Sequence, residues 1–70
     1  YMDYKRVKEM EELAKNLVNG ATIIKLNGLP TYYNEISRWE FKIFDENGEA
    51  YLNIYEKGNT ILGYEIVEKE

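Results

Sequence analysis

The chain has 70 residues, a formal net charge of −4, and neither cysteine nor histidine. Disulfides, thiolate metal sites and a cysteine nucleophile are thereby excluded, and the commonest metal ligand and neutral-pH general base are missing. Ordering a chain this short costs about 1.5 kcal/mol per residue, which apolar burial only about cancels, so aromatic packing (seven Tyr, two Phe, one Trp) and self-association are the supports that remain.

The length makes a single small domain, 1–70. A cysteine-free composition fits a reducing, cytoplasmic setting. No apolar run approaches the ~20 residues that span a bilayer, and the N-terminus lacks the apolar core of a signal peptide. Tyr1 ahead of Met2 suggests that the native chain starts at Met2. Most of the 13 acidic residues lie in the second half. A net negative chain has no general pull on phosphate backbones, which argues against nucleic acid and anionic membranes as partners.

Residues 3–18 read as an amphipathic helix. Val7, Met10, Leu13, Ala14, Leu17 and Val18 recur at helical spacing on one face. Asp3 is the expected N-cap, Glu11 and Lys15 form an i, i+4 pair, and Asn19-Gly20 ends the helix, with Gly20 the better left-handed residue. The apolar face is expected to cover this domain's own sheet rather than a partner.

Residues 21–27 are short and β-branched, and read as a strand with Thr22, Ile24 and Leu26 on one face. The 28–34 stretch reads as a loop broken by Gly28 and Pro30. Leu29, Tyr32 and Tyr33 are too apolar for an idle loop. They either fold back over the core edge or contact a partner.

From Trp39 to Tyr55, apolar and polar residues alternate on both sides of Asn47-Gly48, the strongest short hairpin signal. A turn centred on Asn47-Gly48 pairs Phe44 with Tyr51, Ile43 with Leu52, Lys42 with Asn53, Phe41 with Ile54 and Glu40 with Tyr55. One face then holds Trp39, Phe41, Ile43, Leu52 and Ile54, and the other Glu40, Lys42, Phe44, Tyr51, Asn53 and Tyr55. A one-residue slip would invert this split. Residues 60–68 read as a last strand. A loop of Lys57-Gly58-Asn59 places Leu62, Tyr64 and Ile66 on the core face and Ile61, Gly63, Glu65 and Val67 outside. The expected fold is α+β: one N-terminal helix on a four-stranded, mainly antiparallel sheet in the order α-β-β-β-β.

Residues for chemistry are scarce. Ser37, the one serine, points toward the core side and has no histidine to activate it. Asp45, Glu46 and Glu49 at the hairpin tip do not match a calcium loop and read as a solvated acidic turn. The isolated glycines of the turns do not form a phosphate cradle. No catalytic, metal or cofactor site is expected, and the chain is not expected to be an enzyme.

The outer sheet face is the most informative feature. Phe44, Tyr51, Tyr55 and Ile61 lie outside in this register, where a small isolated sheet should be polar. Such a patch points to a partner. These residues, with Leu29, Tyr32 and Tyr33, are the expected contacts. Glu40, Glu49, Glu56 and Glu65 form an acidic rim suited to a basic protein surface. A homodimer burying the same face is the alternative. Stacking of single-stranded nucleic acid on the sheet is a third, opposed by Glu40 and Glu65.

In size, acidity and helix-then-meander order the chain is similar to small acidic inhibitors encoded by bacteriophages and mobile elements, including some anti-CRISPR proteins. That resemblance implies an inhibitor that occupies the basic surface of a nucleic-acid enzyme. It requires carboxylates clustered on one side of the fold.

Overall fold

A computed structural model describes residues 3–19 and 23–68. It contains one helix, α1 (Tyr4–Leu17), followed by five strands: β1 (Ile23–Leu26), β2 (Thr31–Tyr33), β3 (Ile36–Asp45), β4 (Gly48–Lys57) and β5 (Thr60–Glu68). The main sheet order is β1-β3-β4-β5, every pairing is antiparallel, and β2 joins β3 as well. The α+β class is as expected, with five strands rather than four.

Helix α1 starts where the sequence indicates. The Asp3 carboxylate accepts the Lys5 N–H at 3.0 Å, satisfying one of the free donors of the first turn. Val18 is the C-cap and donates to the Ala14 carbonyl at 3.0 Å. Gly20, the expected terminator, lies outside the described residues, as does Thr22. Lys15 pairs with Glu12 at 3.6 Å rather than with Glu11. Both spacings bring side chains together on a helix, and this pair is exposed, so little stability rides on the difference.

Met10 and Ala14 are buried against the sheet, with Val7, Leu13, Leu17 and Val18 packed around them. Beneath them lie Trp39, Phe41 and Ile43 of β3 and Ala50, Leu52 and Ile54 of β4, and Ile24 and Leu26 of β1 flank the cluster. The apolar stripe of the helix and the alternate residues of β3 and β4 thus form one core, as their periods require.

The 28–34 stretch is more ordered than a loop. β1 and β2 lie on the same edge of β3, with Leu26 opposite Phe41 and Thr31 opposite Arg38. Asn27 continues the line, its N–H bonded to the Glu40 carbonyl at 2.8 Å. Residues 23–33 therefore form one edge strand interrupted at Gly28-Leu29-Pro30. Gly28 takes a φ of 78°, and Pro30 has no N–H to give to a ladder. The turn back into β3 is Asn34-Glu35, with φ of 53° and 67°. Two positive φ values are the mark of the I′ hairpin turn.

The β3–β4 hairpin is shifted by two residues from expectation. Asp45 pairs with Gly48, Phe44 with Glu49, Ile43 with Ala50, Lys42 with Tyr51, Phe41 with Leu52, Glu40 with Asn53, Trp39 with Ile54 and Arg38 with Tyr55. The corner residues are Glu46 and Asn47, not Asn47 and Gly48. The cause is the Asp45 side chain, whose carboxylate accepts the Asn47 N–H at 2.8 Å. That local bond selects a turn with Asp first and Gly fourth. Gly48 supplies the φ of 119°, while Asn47 has no positive φ and the I′ turn does not form there. A shift of two preserves the side-chain faces, so the expected core residues are the observed ones.

The β4–β5 connection is also tighter than expected. Lys57 pairs with Thr60, and Gly58 turns the corner at a φ of 62°. A bulge then breaks the register: Glu56 faces Ile61, Tyr55 faces Gly63, and Leu62 is the extra residue. Beyond it Ile54 faces Tyr64 and Leu52 faces Ile66.

Candidate protein-binding surface

The two-residue shift rewrites the neighbours on the outer face. Tyr51 stands beside Lys42 rather than Phe44, and Tyr55 beside Arg38 rather than Glu40. Asn27, Glu40, Asn53 and Glu65 form a polar row across β1's extension, β3, β4 and β5. The Asn27 amide donates to the Glu40 carboxylate at 2.7 Å. The Asn53 amide reaches Glu65 at 3.4 Å, and the Tyr55 hydroxyl donates to the same Glu65 oxygen at 2.6 Å. The expected continuous aromatic patch is therefore divided. Phe44 and Tyr51 lie on one side of the polar row and Tyr55 on the other, each half-buried.

This row shifts proton affinities in opposite directions. Bonds from Tyr55 and Asn53 hold the Glu65 carboxyl below its ordinary value. The same bond to Glu65, with partial burial, raises the Tyr55 phenol. A hydrogen bond to an ionised carboxylate favours the charged acceptor and the protonated donor. Asn53 is 5% exposed, and its Oδ1 has no hydrogen-bond partner.

Two expected contact residues are elsewhere. Glu56 is not part of an outer rim. It is 4% exposed on the helix side, where Arg6 donates to one carboxylate oxygen and the Trp39 indole N–H to the other at 3.0 Å. Alternation along β4 forces this, because Glu56 shares its face with Leu52 and Ile54. Ile61 faces Glu56 across the bulge and so stands on the helix side, not outside. The remaining carboxylates are dispersed. Glu9, Glu11 and Glu12 are on α1, Asp45 and Glu46 at the hairpin tip with Glu49 beside them, and Glu40 and Glu65 in the polar row.

Leu29, Tyr32 and Tyr33 are 74%, 70% and 84% exposed. They do not fold back over the core. Tyr33, Thr31, Ile36, Arg38 and Tyr55 line a shallow depression at that corner of the outer face.

Apolar side chains stand open to solvent on both faces of β5. Ile61, Leu62, Tyr64, Ile66 and Val67 are 39–53% exposed, and no residue of β5 is buried. Tyr64 and Ile66 face Ile54 and Leu52, so they belong to the core face, as expected, but they are left half-exposed. Among the described residues, β5 pairs with β4 alone, leaving its far edge without a strand. The strand contains neither proline nor a basic residue, so the bulge at Leu62 and the charge of Glu65 are what blunt its edge. Sequence reasoning assigned Leu62, Tyr64 and Ile66 to the core and overlooked their exposure. A geometric signal was present: a helix about 10 Å wide covers roughly two strands spaced ~4.8 Å apart, so one helix cannot roof a four-strand sheet.

Among the described residues, no group of three or more acidic side chains is placed to hold a metal ion. Among the described residues, no helix is long and apolar enough to cross a membrane. No protein-family model, curated protein or solved structure matches the chain.

Proposed function

We propose that this chain is a non-enzymatic protein-binding domain that docks its partner along β5. One observation carries the reading: an edge strand with no partner on its far side among the described residues, whose core-side residues Tyr64 and Ile66 are half-exposed. An added strand would satisfy the free backbone groups, and its side chains would cover the apolar row. Composition supports the absence of chemistry, since neither histidine nor cysteine is available. The cytoplasm, where cysteine-free proteins lose nothing, is the setting we assign. Leu29, Tyr32 and Tyr33, at the opposite edge of the sheet, form a second contact point.

The acidic-inhibitor form of this reading loses support, because the carboxylates are dispersed and Glu56 is consumed inside the fold. A different alternative gains one. Lys42 beside Tyr51 and Arg38 beside Tyr55 supply cations next to aromatics, which stacking of single-stranded nucleic acid needs. Titration of single-stranded oligonucleotides at low salt tests it, and absence of binding eliminates it.

The main test replaces Tyr64, and separately Tyr51, with photoreactive benzoylphenylalanine in cells. Protein adducts at Tyr64 that are missing at Tyr51 support docking along β5. Adducts at Tyr51 alone move the site to the outer face.

A further inference from the structure

We infer that the partner seated on β5 is a second copy of this chain, joined edge to edge about a two-fold axis through Tyr64. This rests on the reading of β5 as a docking edge and names its occupant.

The argument is one of register. A two-fold axis perpendicular to the sheet keeps both helices on the same side. Directly opposed residues in an antiparallel pair share a face. The axis must therefore pass through a residue, and the exposed middle of β5 offers Gly63, Tyr64 or Glu65. An axis at Glu65 sets two carboxylates against each other, which opposes pairing. An axis at Gly63 puts two glycines at the centre, where no side chains meet.

An axis at Tyr64 is self-complementary. Tyr64 meets Tyr64, and Glu65 meets Gly63 twice. The central half-exposed side chain of the core face finds an aromatic one, and the charge beside it lies opposite a glycine. An aromatic cross-strand pair of this kind contributes about 0.2–1 kcal/mol. The bulge at Leu62 bends the strand where this paired stretch ends. The result is a continuous sheet through both copies, with the two open edges removed.

Charge sets the salt response. Two copies of a chain with a net charge of −4 repel each other, and the paired stretch contains no salt bridge to offset that. Added salt screens the repulsion and strengthens the dimer. A basic partner would show the reverse.

The test is sedimentation velocity from ~1 to ~300 µM on the wild type, Gly63→Lys and Gly63→Glu. A Cβ at Gly63 meets nothing within 4 Å, and its φ is not positive, so both variants fit the monomer. The lysine comes to lie opposite Glu65 of the other copy at both symmetric positions, and the glutamate repels it there. The dimer is expected to tighten about fivefold with Gly63→Lys, weaken about fivefold with Gly63→Glu, and strengthen with salt. Circular dichroism confirms that both variants fold. A wild type that stays monomeric, or two variants that move together, overturns the proposal. A monomer whose Tyr64 probe captures a different protein overturns self-association and leaves β5 as the docking edge, whereas no adduct at Tyr64 removes both.

Discussion

Arg6, in the first turns of α1, donates to the buried Glu56 carboxylate on β4, and Trp39 donates its indole N–H to the other oxygen at 3.0 Å. This polar clamp sets the position of the helix on the sheet, because apolar packing alone is non-directional. Arg6 also reaches Glu9 at 3.0 Å within the helix.

Removing one partner of the clamp leaves a buried charge without its counter-ion. Arg6→Met is expected to cost about 3 kcal/mol in urea unfolding at neutral pH, a large share of the stability of a domain this size. Combining it with Glu56→Gln removes the charge and keeps an acceptor for Trp39. The double variant should recover more than half of the loss. If the two losses simply add, the clamp contributes nothing as a pair.

Glu35 holds a φ of 67° at the second corner of the β2–β3 turn, a region that L side chains avoid. Glu35→Gly turns the corner into Asn-Gly without changing any contact in the core. It should stabilise the domain by about 1 kcal/mol and raise Tm by roughly 4–8 °C, after allowance for the greater freedom of glycine in the unfolded chain. Glu35→Val should do the opposite, since a β-branched residue resists positive φ.

The Tyr55–Glu65 bond makes stability depend on pH at both ends. The folded pKa of Glu65 is lowered, so its contribution is present above the unfolded value of ~4.3 and is lost as pH falls through the folded one. The folded pKa of Tyr55 is raised, so its contribution is complete below ~10 and is lost as pH rises through the folded value. The stability gap between wild type and Tyr55→Phe should therefore be widest at neutral pH and narrow toward acid and alkali. A gap that stays constant across urea titrations at these pH values means the bond is not formed in solution.

Asn53 is buried between Glu40 and Glu65, with its Oδ1 unpaired. Asn53→Asp adds a third carboxylate to the row and should cost about 3 kcal/mol at neutral pH, relieved in acid as the new group protonates. Asn53→Leu removes the orphan oxygen together with the weak bond to Glu65. It should fall within about 1 kcal/mol of the wild type. Thermal melts of the pair separate a charge effect from a size effect.

Trp39 to Tyr55 shows how much of this architecture is legible from residues alone. Parity is robust: alternation identified Trp39, Phe41, Ile43, Leu52 and Ile54 as core, and burial agrees. Register is not, because a shift of two leaves alternation unchanged. The deciding contact, the Asp45 carboxylate on the Asn47 N–H, competes with the Asn-Gly signal on equal local terms. The same shift placed cations beside Tyr51 and Tyr55 and divided the outer face. β2 was hidden because its turn uses Asn-Glu, where the hairpin signature has Asn-Gly. For β5 the pattern was right and the inference wrong. Alternation shows which side of the sheet Tyr64 and Ile66 occupy, but not whether the helix is wide enough to cover them.

β5 lies outside the dense core, and that has a kinetic consequence. Its amides are held by ladder bonds to β4 and by half-exposed side chains, with no fully buried anchor. It should open as a unit well before the helix and the β3–β4 hairpin do, and its protons should exchange with solvent faster than theirs. Occupying the strand then does more than cover an edge. It ties recognition to completion of the sheet, so an occupied molecule resists opening and proteolysis at its C-terminal strand, and an empty one does not.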